Sequence, residues 1–436
     1  TLLDDGRSAS RRARLDLIDH LGPSVAVVVD QNLDLASLET THELVVIAPG
    51  VDDGGHGGHQ EDDFASFAVR HSDQIVFFVD ASSPVGVVPA VLTDRGDRDR
   101  RSVNGSHANR YELVLVHPAE SGLPTNTATW LDHHEPIHHH HVRSGDVAHL
   151  DRVTRWIRRK PYVLVLSGGG VRGLAHGGLY RALVEVGVPV DVVVGVSAGA
   201  IAGAVMAMGH DPETCIELGK EFFGARGSPV DFTVPTVALG SGRRINGWLK
   251  ELVGAQTRQE DLWLPTVFVS ANLSTVDLYL HWKGPLWRAL RATTAIPGVF
   301  PPVAEPGGVL VDGGLVANLP IDLARNLFPG AVILASDVGR RLELDPGTFP
   351  AEAEISGWRA GLSRFRPGGR VPGMVRIMAQ LTALGGLGLP EGEGDLHVDF
   401  DLDEFGLFDF KQAPRIAEAG YERSLPLVAA WAREQA

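Results

Sequence analysis

A stretch of eighteen uncharged residues, Val192–Gly209 (VVVGVSAGAIAGAVMAMG), constrains the fold of this chain more than any other feature. Its length would suit a membrane-spanning helix. Its character changes at Ser197, however, because β-branched valines precede the serine and helix-forming alanines follow it. We therefore predict a buried strand, a sharp turn and a buried helix. In the turn sequence GVSAG, Gly195 and Gly199 leave room for the chain to reverse and expose the serine hydroxyl.

A glycine-rich loop lies one helix before this turn. Tyr162–Leu166 has the pattern of a buried strand, Gly168–Gly173 (GGGVRG) that of a tight loop, and Leu174–Val186 that of a helix. A loop that enters a helix N-terminus gathers backbone N–H donors and partial positive charge, which favour a phosphate or the oxyanion of an acyl-transfer intermediate. A dinucleotide-binding loop stays open from this loop alone, because its spacing is also met by Gly168, Gly170, Gly173 and Asp191.

A third motif, Gly308–Pro320 (GVLVDGGLVANLP), supplies a carboxylate. We predict that a strand ends at Asp312 and that Gly313 and Gly314 let the chain turn away. The carboxyl group would then lie at the same carboxyl edge of the sheet as Ser197. Because a serine nucleophile needs a base, the three motifs together favour a catalytic aspartate over a turn-capping one.

Residues 1–150 carry the signals of a smaller α/β domain. They contain four short apolar runs that we interpret as buried parallel strands: Val25–Val29, Leu44–Ala48, Ile75–Val79 and Leu113–Val116. Asp30 and Asp80 close two of these strands, at the end where open α/β sheets bind ligands, although turn capping is the simpler interpretation. We predict an accessory domain over 1–150 and a second domain over 160–436, with a core of 162–340 and a C-terminal extension of 341–436.

Charge and histidine content restrict the partners. The formal net charge of −15 argues against nucleic-acid binding, which requires a basic surface. Six histidines fall within His133–Arg143 (HHEPIHHHHVR). Adjacent residues of an extended chain point to opposite faces, so such a run cannot close a tetrahedral metal shell by itself. We expect no metal there, only a packed or exposed linker element. The single cysteine, Cys215, is typical of a reducing compartment and favours a cytoplasmic location.

Taken together, SGGGVRGLAHGG, GVSAG and VDGGL resemble the three sequence blocks of the patatin-like phospholipases, in the same order and spacing. Ala292–Val303 and Asn318–Pro320 resemble that family's connecting segments. His139–Arg143 and Leu407–Glu422 are similar to the subgroup of neuropathy target esterase and its bacterial relatives. The resemblance runs from around Pro118 to the C-terminus. In that subgroup cyclic-nucleotide-binding domains often precede this region. None is evident here, as expected for a fragment excised from a longer protein with such a domain upstream.

The resemblance implies a three-layer α/β hydrolase domain with a central, mostly parallel sheet, preceded by the smaller α/β domain. It also implies a serine esterase that needs neither cofactor nor metal. On that basis Ser197 is the nucleophile and Asp312 the general base of a dyad. The oxyanion would be held by Gly168, Gly169, Gly170 and Arg172. The turns would be supported by Gly173, Gly195, Gly199, Gly313 and Gly314.

The same resemblance implies a lipid or lysophospholipid substrate and peripheral contact with a membrane. The apolar segment Met374–Pro390 is a candidate for an acyl tunnel or for that contact, although an ordinary core helix is the simpler interpretation.

Two alternatives stay open at the level of the sequence. The order Ser197, Asp312, His397 fits the triad of an α/β-hydrolase. The position of the glycine loop argues against this triad, because the loop follows the strand that comes directly before the strand leading to Ser197. The second alternative is a nucleotide-responsive regulatory module with an inactive hydrolase fold. Its support is the N-terminal α/β region and the aspartates at its strand ends.

Overall fold

A computed structural model of the chain describes residues 1–21, 25–28, 44–47, 67–69, 72–86, 92, 111–225, 227–339, 377, 394–402, 404–406 and 409–435. The chain divides into two compact units. The first comprises Thr1–Pro161 together with Glu260–Pro265, and the second comprises Tyr162–Gln259 with Thr266–Ala436. No sequence pattern indicated that the short segment 260–265 belongs to the first unit. An accessory role for the first unit and a catalytic role for the second remain predictions.

The first unit contains a parallel sheet in the order β1-β4-β5-β6 and a separate parallel pair, β2-β3. The longer helices in its described part are α1 (Ser8–His20), α2 (Thr127–His134) and α3 (Val147–Ile157). The strands are β1 (Leu2–Asp4), β2 (Val25–Val28), β3 (Leu44–Ile47), β4 (Ile75–Asp80), β5 (Tyr111–His117) and β6 (His138–Arg143). The four predicted strands are confirmed as β2 to β5. Asp30 lies outside the described residues.

Both faces of this sheet are covered, which explains why its strands are continuously apolar. Leu17 of α1 is fully buried in a core that includes Phe78 and Val114. Trp130 of α2 is buried in a second core with Phe77 and other strand residues. Strands covered on both faces need no polar alternation.

The prediction of a linker element at His133–Arg143 is wrong, because the second half of this segment forms the edge strand β6. Specific partners make the burial of these histidines tolerable. His140 Nε2 lies 2.9 Å from Glu112 Oε2, and His141 Nε2 lies 2.9 Å from the Glu260 carbonyl oxygen. Among the described residues, no group of three or more His, Cys, Asp or Glu is placed to hold a metal ion.

The second unit is built on a mixed sheet in the order β11-β12-β9-β8-β7-β13-β14, with β10 paired to β9. The strands β9, β8, β7, β13 and β14, which are consecutive in the sheet, run parallel to one another. In contrast, β10, β11 and β12 run antiparallel to the strands with which they pair. The strands are β7 (Tyr162–Leu166), β8 (Val192–Val196), β9 (Thr266–Asn272), β10 (Asp277–His281), β11 (Val303–Glu305), β12 (Gly308–Asp312), β13 (Val332–Asp337) and β14 (Leu396–Asp399).

The first two helices of this unit follow β7 and β8 in the predicted strand–turn–helix order, whereas the next two have no strand before them. The helices are α4 (Leu174–Val186), α5 (Ala198–Ala207), α6 (Pro212–Lys220), α7 (Arg243–Val253), α8 (Leu286–Thr293), α9 (Ile321–Leu327) and α10 (Ala413–Gln435). The stretch 192–209 is therefore a strand and a helix, as predicted, and not one membrane-length helix. Within the described parts of the chain, none of the helices is both long enough and apolar enough to cross a membrane. Apart from Ile377, the segment Met374–Pro390 lies outside the described residues.

Candidate active site

Ser197 occupies the sharp turn between β8 and α5. Its φ and ψ are 51° and −118°, a backbone conformation that residues with a side chain rarely adopt and that stores strain. The Ser197 N–H donates to the Thr293 hydroxyl at 3.0 Å. Its carbonyl accepts from the N–H groups of Ala200 and Ile201, at 3.1 and 3.2 Å, in the first turn of α5. Contacts on both sides of the serine therefore hold the strained turn in place.

Close backbone approach explains the glycines around this turn. A Cβ atom on Gly199 would lie 2.4 Å from the Leu166 carbonyl oxygen, and one on Gly195 would lie 2.8 Å from the backbone of α5. A Cβ on Gly173 would lie 2.7 Å from Ala198 Cβ, so the glycine loop packs directly on the start of α5. A side chain at any of these three positions would displace the serine turn.

The pairing of β9 explains how Ser197 and Asp312 meet. β8 runs parallel to β9, and its last residue, Val196, pairs with Val269. β12 runs antiparallel to β9, and its last residue, Asp312, pairs with the next residue, Ser270. β10 pairs with Phe268–Asn272 of β9 and so occupies one edge of that strand. β8 and β12 therefore both pair with the opposite edge of β9, where they meet end to end.

The sequence predicted that the Asp312 carboxyl group lies at the same carboxyl edge of the sheet as Ser197. The strand directions behind this meeting were not part of that prediction. In the structure β12 runs opposite to β8, and the carboxyl ends of the two strands point at each other across adjacent positions of β9. The antiparallel orientation of β12 relative to β9 brings the carboxyl group of Asp312 to Ser197.

Asp312 is buried in the position that this pairing creates. The residue is 2% exposed. Burial raises the pKa of its carboxyl group to about 6, and hydrogen bonds from the Gly314 N–H and the Ser197 side chain oppose that rise. The Gly314 bond measures 2.9 Å. Gly313 cannot carry a side chain, because a Cβ there would lie 2.3 Å from the Val269 carbonyl oxygen. A carboxylate that is ionised at neutral pH and lies beside a serine hydroxyl can act as its general base.

The glycine loop lies directly beside the serine. A Cβ atom on Gly168 would lie 3.1 Å from Ser197 Cβ. The loop continues through a 3₁₀ turn over Gly170–Gly173 into α4, and Gly170 has a φ of 59°, in the left-handed region that favours glycine. Backbone N–H groups of a turn that enters a helix are suited to hold a developing negative charge.

Two of the four expected oxyanion donors already make long hydrogen bonds. The Gly168 N–H donates to the Asn318 carbonyl at 3.3 Å, and the Arg172 N–H donates to the Gly169 carbonyl at 3.3 Å. Both distances exceed the usual N–H···O length. These bonds hold the loop in shape, so Gly169 and Gly170 are the stronger candidates for contact with an oxyanion.

A buried histidine supports the residue before the loop. His176 Nε2 lies 2.9 Å from the Ser167 carbonyl oxygen, which can only accept, so Nε2 carries the proton. Nδ1 then accepts from the Ser336 hydroxyl at 2.7 Å. Burial lowers the pKa of His176 to about 4, which keeps the ring neutral at neutral pH. Because both ring nitrogens are engaged, His176 has none left for Ser197.

His397, the histidine of the triad alternative, is not brought to the dyad. It lies on β14 and pairs with Ala335 of β13, and β13 and β7 separate β14 from β8. Three strand spacings amount to about 14 Å. His397 is also exposed. The triad interpretation is therefore wrong.

The aspartates behind the nucleotide alternatives have ordinary structural roles. Asp80 accepts hydrogen bonds from the N–H and the hydroxyl of Ser82, at 2.9 and 2.6 Å, and so caps a turn. Asp191 is fully buried and accepts from the Tyr162 N–H at 2.9 Å, so it cannot bind a ribose. These contacts give nucleotide binding no support.

Two residues that contact the site were not singled out from the sequence. Thr293 accepts from the Ser197 N–H and donates to the Val269 carbonyl, so it links the serine turn to β9. The Asn318 side chain donates to the Gly168 carbonyl at 3.2 Å, so it links the segment after Asp312 to the glycine loop. Both lie in the segments that resemble connecting segments of the patatin-like family, which was the available signal.

Comparison with known proteins first identifies the class of domain. Residues 164–325 match the family model described as patatin-like phospholipase, and this range contains the glycine loop, Ser197 and Asp312. The chain therefore carries a patatin-like phospholipase domain, and the predicted family and α/β fold class are confirmed.

The more particular similarity is to lysophospholipases of the neuropathy target esterase type. Lysophospholipase NTE1 of Mycosarcoma maydis is 28% identical over 403 residues, which cover 78% of this chain and 21% of that protein. Patatin-like phospholipase domain-containing protein 6 of Homo sapiens is 30% identical over 362 residues, which cover 74% of this chain and 26% of that protein. The chain thus spans about a quarter of the length of these curated relatives.

Among solved structures, that of VipD from Legionella pneumophila has a TM-score of 0.33 and 15% identity, covering 62% of this chain and 67% of that one. A similarity this low carries no argument about fold or function.

Proposed function

We propose that the chain is a carboxylic ester hydrolase of the lysophospholipase or phospholipase type, acting through a Ser197–Asp312 dyad. One observation carries the proposal: β8 and β12 meet end to end on β9 and bring the buried carboxyl group of Asp312, whose pKa is raised, next to a serine held at a strained turn. The glycine loop beside this pair offers backbone donors for an oxyanion. Nucleophile, base and donors are the three parts that acyl transfer from an ester requires.

In the proposed acylation step, Asp312 accepts the hydroxyl proton while Ser197 Oγ attacks the ester carbonyl carbon. The carbonyl oxygen becomes negatively charged and is held by N–H groups of the glycine loop; one such donor is typically worth about 3 kcal/mol. When the tetrahedral intermediate collapses, the bond to the alcohol oxygen breaks and Asp312 returns the proton to that oxygen. The alcohol leaves, and the acyl group stays on Ser197.

Deacylation repeats this sequence with water. Asp312 takes a proton from a water molecule, whose oxygen attacks the acyl carbon. The bond to Ser197 Oγ then breaks, and the proton passes from Asp312 to that oxygen. A fatty acid leaves and the free dyad is restored. No cofactor or metal is needed for either half of the reaction.

Lysophospholipids are the proposed substrate class, because four of the similar proteins are named lysophospholipases. A lipid with one acyl chain leaves its bilayer more readily than one with two, which favours it for an enzyme that does not insert deeply. We also propose a cytoplasmic location with peripheral contact to the inner face of a membrane. The single cysteine, Cys215, is free and buried, which suits a reducing compartment.

A lipid panel tests this function. Fatty-acid release from lysophosphatidylcholine, diacyl phosphatidylcholine and triacylglycerol would be measured for the wild-type protein and for Ser197→Ala. We expect the highest kcat/KM for the lysophospholipid and release at background level for the variant. Equal release by Ser197→Ala, or release from none of the three lipids, would contradict the proposal.

A further inference from the structure

A loop with several highly exposed apolar side chains lies at residues 231–241 of the second unit. Phe232, Val234 and Val237 are 79%, 76% and 68% exposed, and no charged residue lies between positions 232 and 240 (FTVPTVALG). Several exposed apolar side chains grouped in one loop are uncommon on a monomeric protein and mark a surface that binds something.

This loop has a defined backbone structure. The Thr233 N–H donates to the Leu239 carbonyl at 2.9 Å, and the Ser241 N–H donates to the Asp231 carbonyl at 2.9 Å. Phe232 and Gly240 form an antiparallel bridge. Because backbone polar groups are paired across the loop, its tip presents chiefly apolar side chains outward.

The base of the loop carries positive charge. Asp231 accepts from the N–H groups of Gly242 and Arg243 at 3.0 and 3.2 Å, and so caps α7. This cap places the exposed Arg243 and Arg244 beside the loop, and Arg244 Nη1 donates to the Ser228 carbonyl at 2.9 Å. Residues 228–244 contain two arginines and one aspartate, a net charge of +1, in a chain whose net charge is −15. Apolar side chains next to arginines match a lipid surface with anionic headgroups.

The loop is attached to the same segment that holds the dyad. The N–H groups of Leu239 and Gly240 donate to the carbonyls of Gly298 and Val299, each at 2.9 Å. A few residues earlier in this segment, the Ala295 carbonyl accepts from the Asp312 N–H at 3.1 Å. Thr293, at the start of the segment, accepts from the Ser197 N–H. Residues 293–299 therefore connect the exposed loop to both members of the dyad.

A second apolar cluster lies at the end of β9. Leu273, Val276 and Val309 are 55%, 90% and 40% exposed, and the Leu273 N–H donates to the Val309 carbonyl at 2.8 Å. Leu273 is three residues beyond Ser270, the partner of Asp312, or about 10 Å along the strand. Strand β9 thus also links the dyad to exposed apolar side chains.

We propose that residues 231–241 insert into the interface of an anionic lipid bilayer, with Arg243 and Arg244 on its headgroups, and so hold the Ser197–Asp312 site at the lipid surface. The proposal rests on the proposed function, because it names the surface on which that site meets its lipid. The loop acts by recruitment and takes no part in the reaction itself. Its loss should therefore affect lipids in a bilayer and leave a soluble ester unaffected.

The test combines vesicle binding with two kinds of substrate. Vesicles of equal parts phosphatidylcholine and phosphatidylglycerol are sedimented with wild-type protein and with the triple variant Phe232→Ser, Val234→Ser, Val237→Ser. We expect the partition coefficient of the variant to fall roughly tenfold or more, since three apolar side chains no longer enter the bilayer. Its hydrolysis of vesicle-bound lysophospholipid should fall in parallel, while its kcat/KM for a short-chain soluble ester stays at the wild-type value.

A matched control removes exposed apolar side chains elsewhere: Val147→Ser, Val184→Ser, Leu427→Ser. These residues are 56%, 50% and 46% exposed, and we expect wild-type vesicle binding from this control. The pair Arg243→Glu, Arg244→Glu should abolish the preference for anionic over pure phosphatidylcholine vesicles.

Three results would overturn the inference. The first is vesicle binding by the loop variant at the wild-type level. The second is an equal loss of binding in the control variant. The third is a wild-type dimer that the loop variant converts to a monomer, which would make the loop an interface between copies. A wild-type protein that binds vesicles through the loop yet hydrolyses neither ester would refute the proposed function and leave the docking surface standing.

Discussion

The serine and the aspartate of the candidate site owe their properties to different causes. Ser197 lies at a backbone conformation with φ of 51°, so its orientation comes from a strained turn. Asp312 has an ordinary φ of −51°, and its raised pKa comes from burial. Backbone strain does not depend on pH, whereas the free-energy cost of a buried carboxylate does. The two halves of the site should therefore respond differently to substitution and to pH.

The largest expected effect is loss of turnover when either partner is removed. Ser197→Ala and Asp312→Asn should each lower kcat by roughly 10³-fold or more, and the double variant should be little worse than either one, because the pair acts as a unit. Steady-state hydrolysis of a soluble ester checks this. If the fold-loss of kcat in the double variant equals the product of the two single fold-losses, the two residues act independently.

A smaller effect is expected on the serine side from Thr293→Val. This change removes the acceptor of the Ser197 N–H and leaves a buried donor unpaired, which costs about 1–3 kcal/mol. We expect kcat to fall roughly 5- to 100-fold with little change in KM. Thr293→Ser keeps the hydroxyl and should retain most of the activity. If Thr293→Ser loses as much as Thr293→Val, packing of the methyl group matters and the hydrogen bond does not.

On the aspartate side, the pH profile should report the buried carboxyl group. The proposed mechanism requires ionised Asp312, and burial raises the pKa of this carboxyl group to about 6. Consequently kcat/KM should be constant at neutral pH and fall about tenfold per pH unit below that value. The residual activity of Asp312→Asn should lack this acidic limb. A limb near the ordinary aspartate pKa would contradict the raised pKa of Asp312, and an acidic limb that persists in Asp312→Asn would show that Asp312 is not the titrating base.

The smallest expected effects are on stability, and they separate strain from burial. Because the folded-state pKa of Asp312 is raised from 3.8 to about 6, its contribution to stability is greatest at acidic pH and is lost as the pH rises through about 6. Asp312→Asn should therefore stabilise the fold at pH 8 by about 3 kcal/mol and not near pH 4. Ser197→Gly should stabilise by about 1 kcal/mol at both pH values, since it relieves a strained φ.

Thermal unfolding at the two pH values measures both changes. A stabilisation by Asp312→Asn that does not depend on pH would contradict the burial account. A Ser197→Gly variant no more stable than the wild-type protein would contradict the strain account.

The local elements of the site were predictable because their sequences are internally consistent. The valines before Ser197 and the alanines after it favour a strand and a helix without tertiary information. The same holds for the strand before Gly168 and for the strand that ends at Asp312. Close-packed glycines at such turns also follow from local geometry.

The assembly of those elements was not predictable from the residues. The end-to-end meeting of β8 and β12 depends on which positions of β9 they pair with, and nothing in Thr266–Asn272 encodes that register. The roles of Thr293 and Asn318 depend on the same assembly. In the first unit, β6 was missed because a run of histidines lacks the apolar character of a strand, and its burial depends on partners such as Glu112 and the Glu260 carbonyl.

Labelling with a fluorophosphonate tests the central claim, that Asp312 activates Ser197, most directly. The reagent reacts with activated serines, and mass spectrometry of the labelled peptide locates the adduct. We predict an adduct at Ser197 in the wild-type protein and in His397→Ala at equal rates, and labelling of Asp312→Asn slower by roughly 10³-fold. Labelling of Asp312→Asn at the wild-type rate, or loss of labelling in His397→Ala, would contradict the dyad.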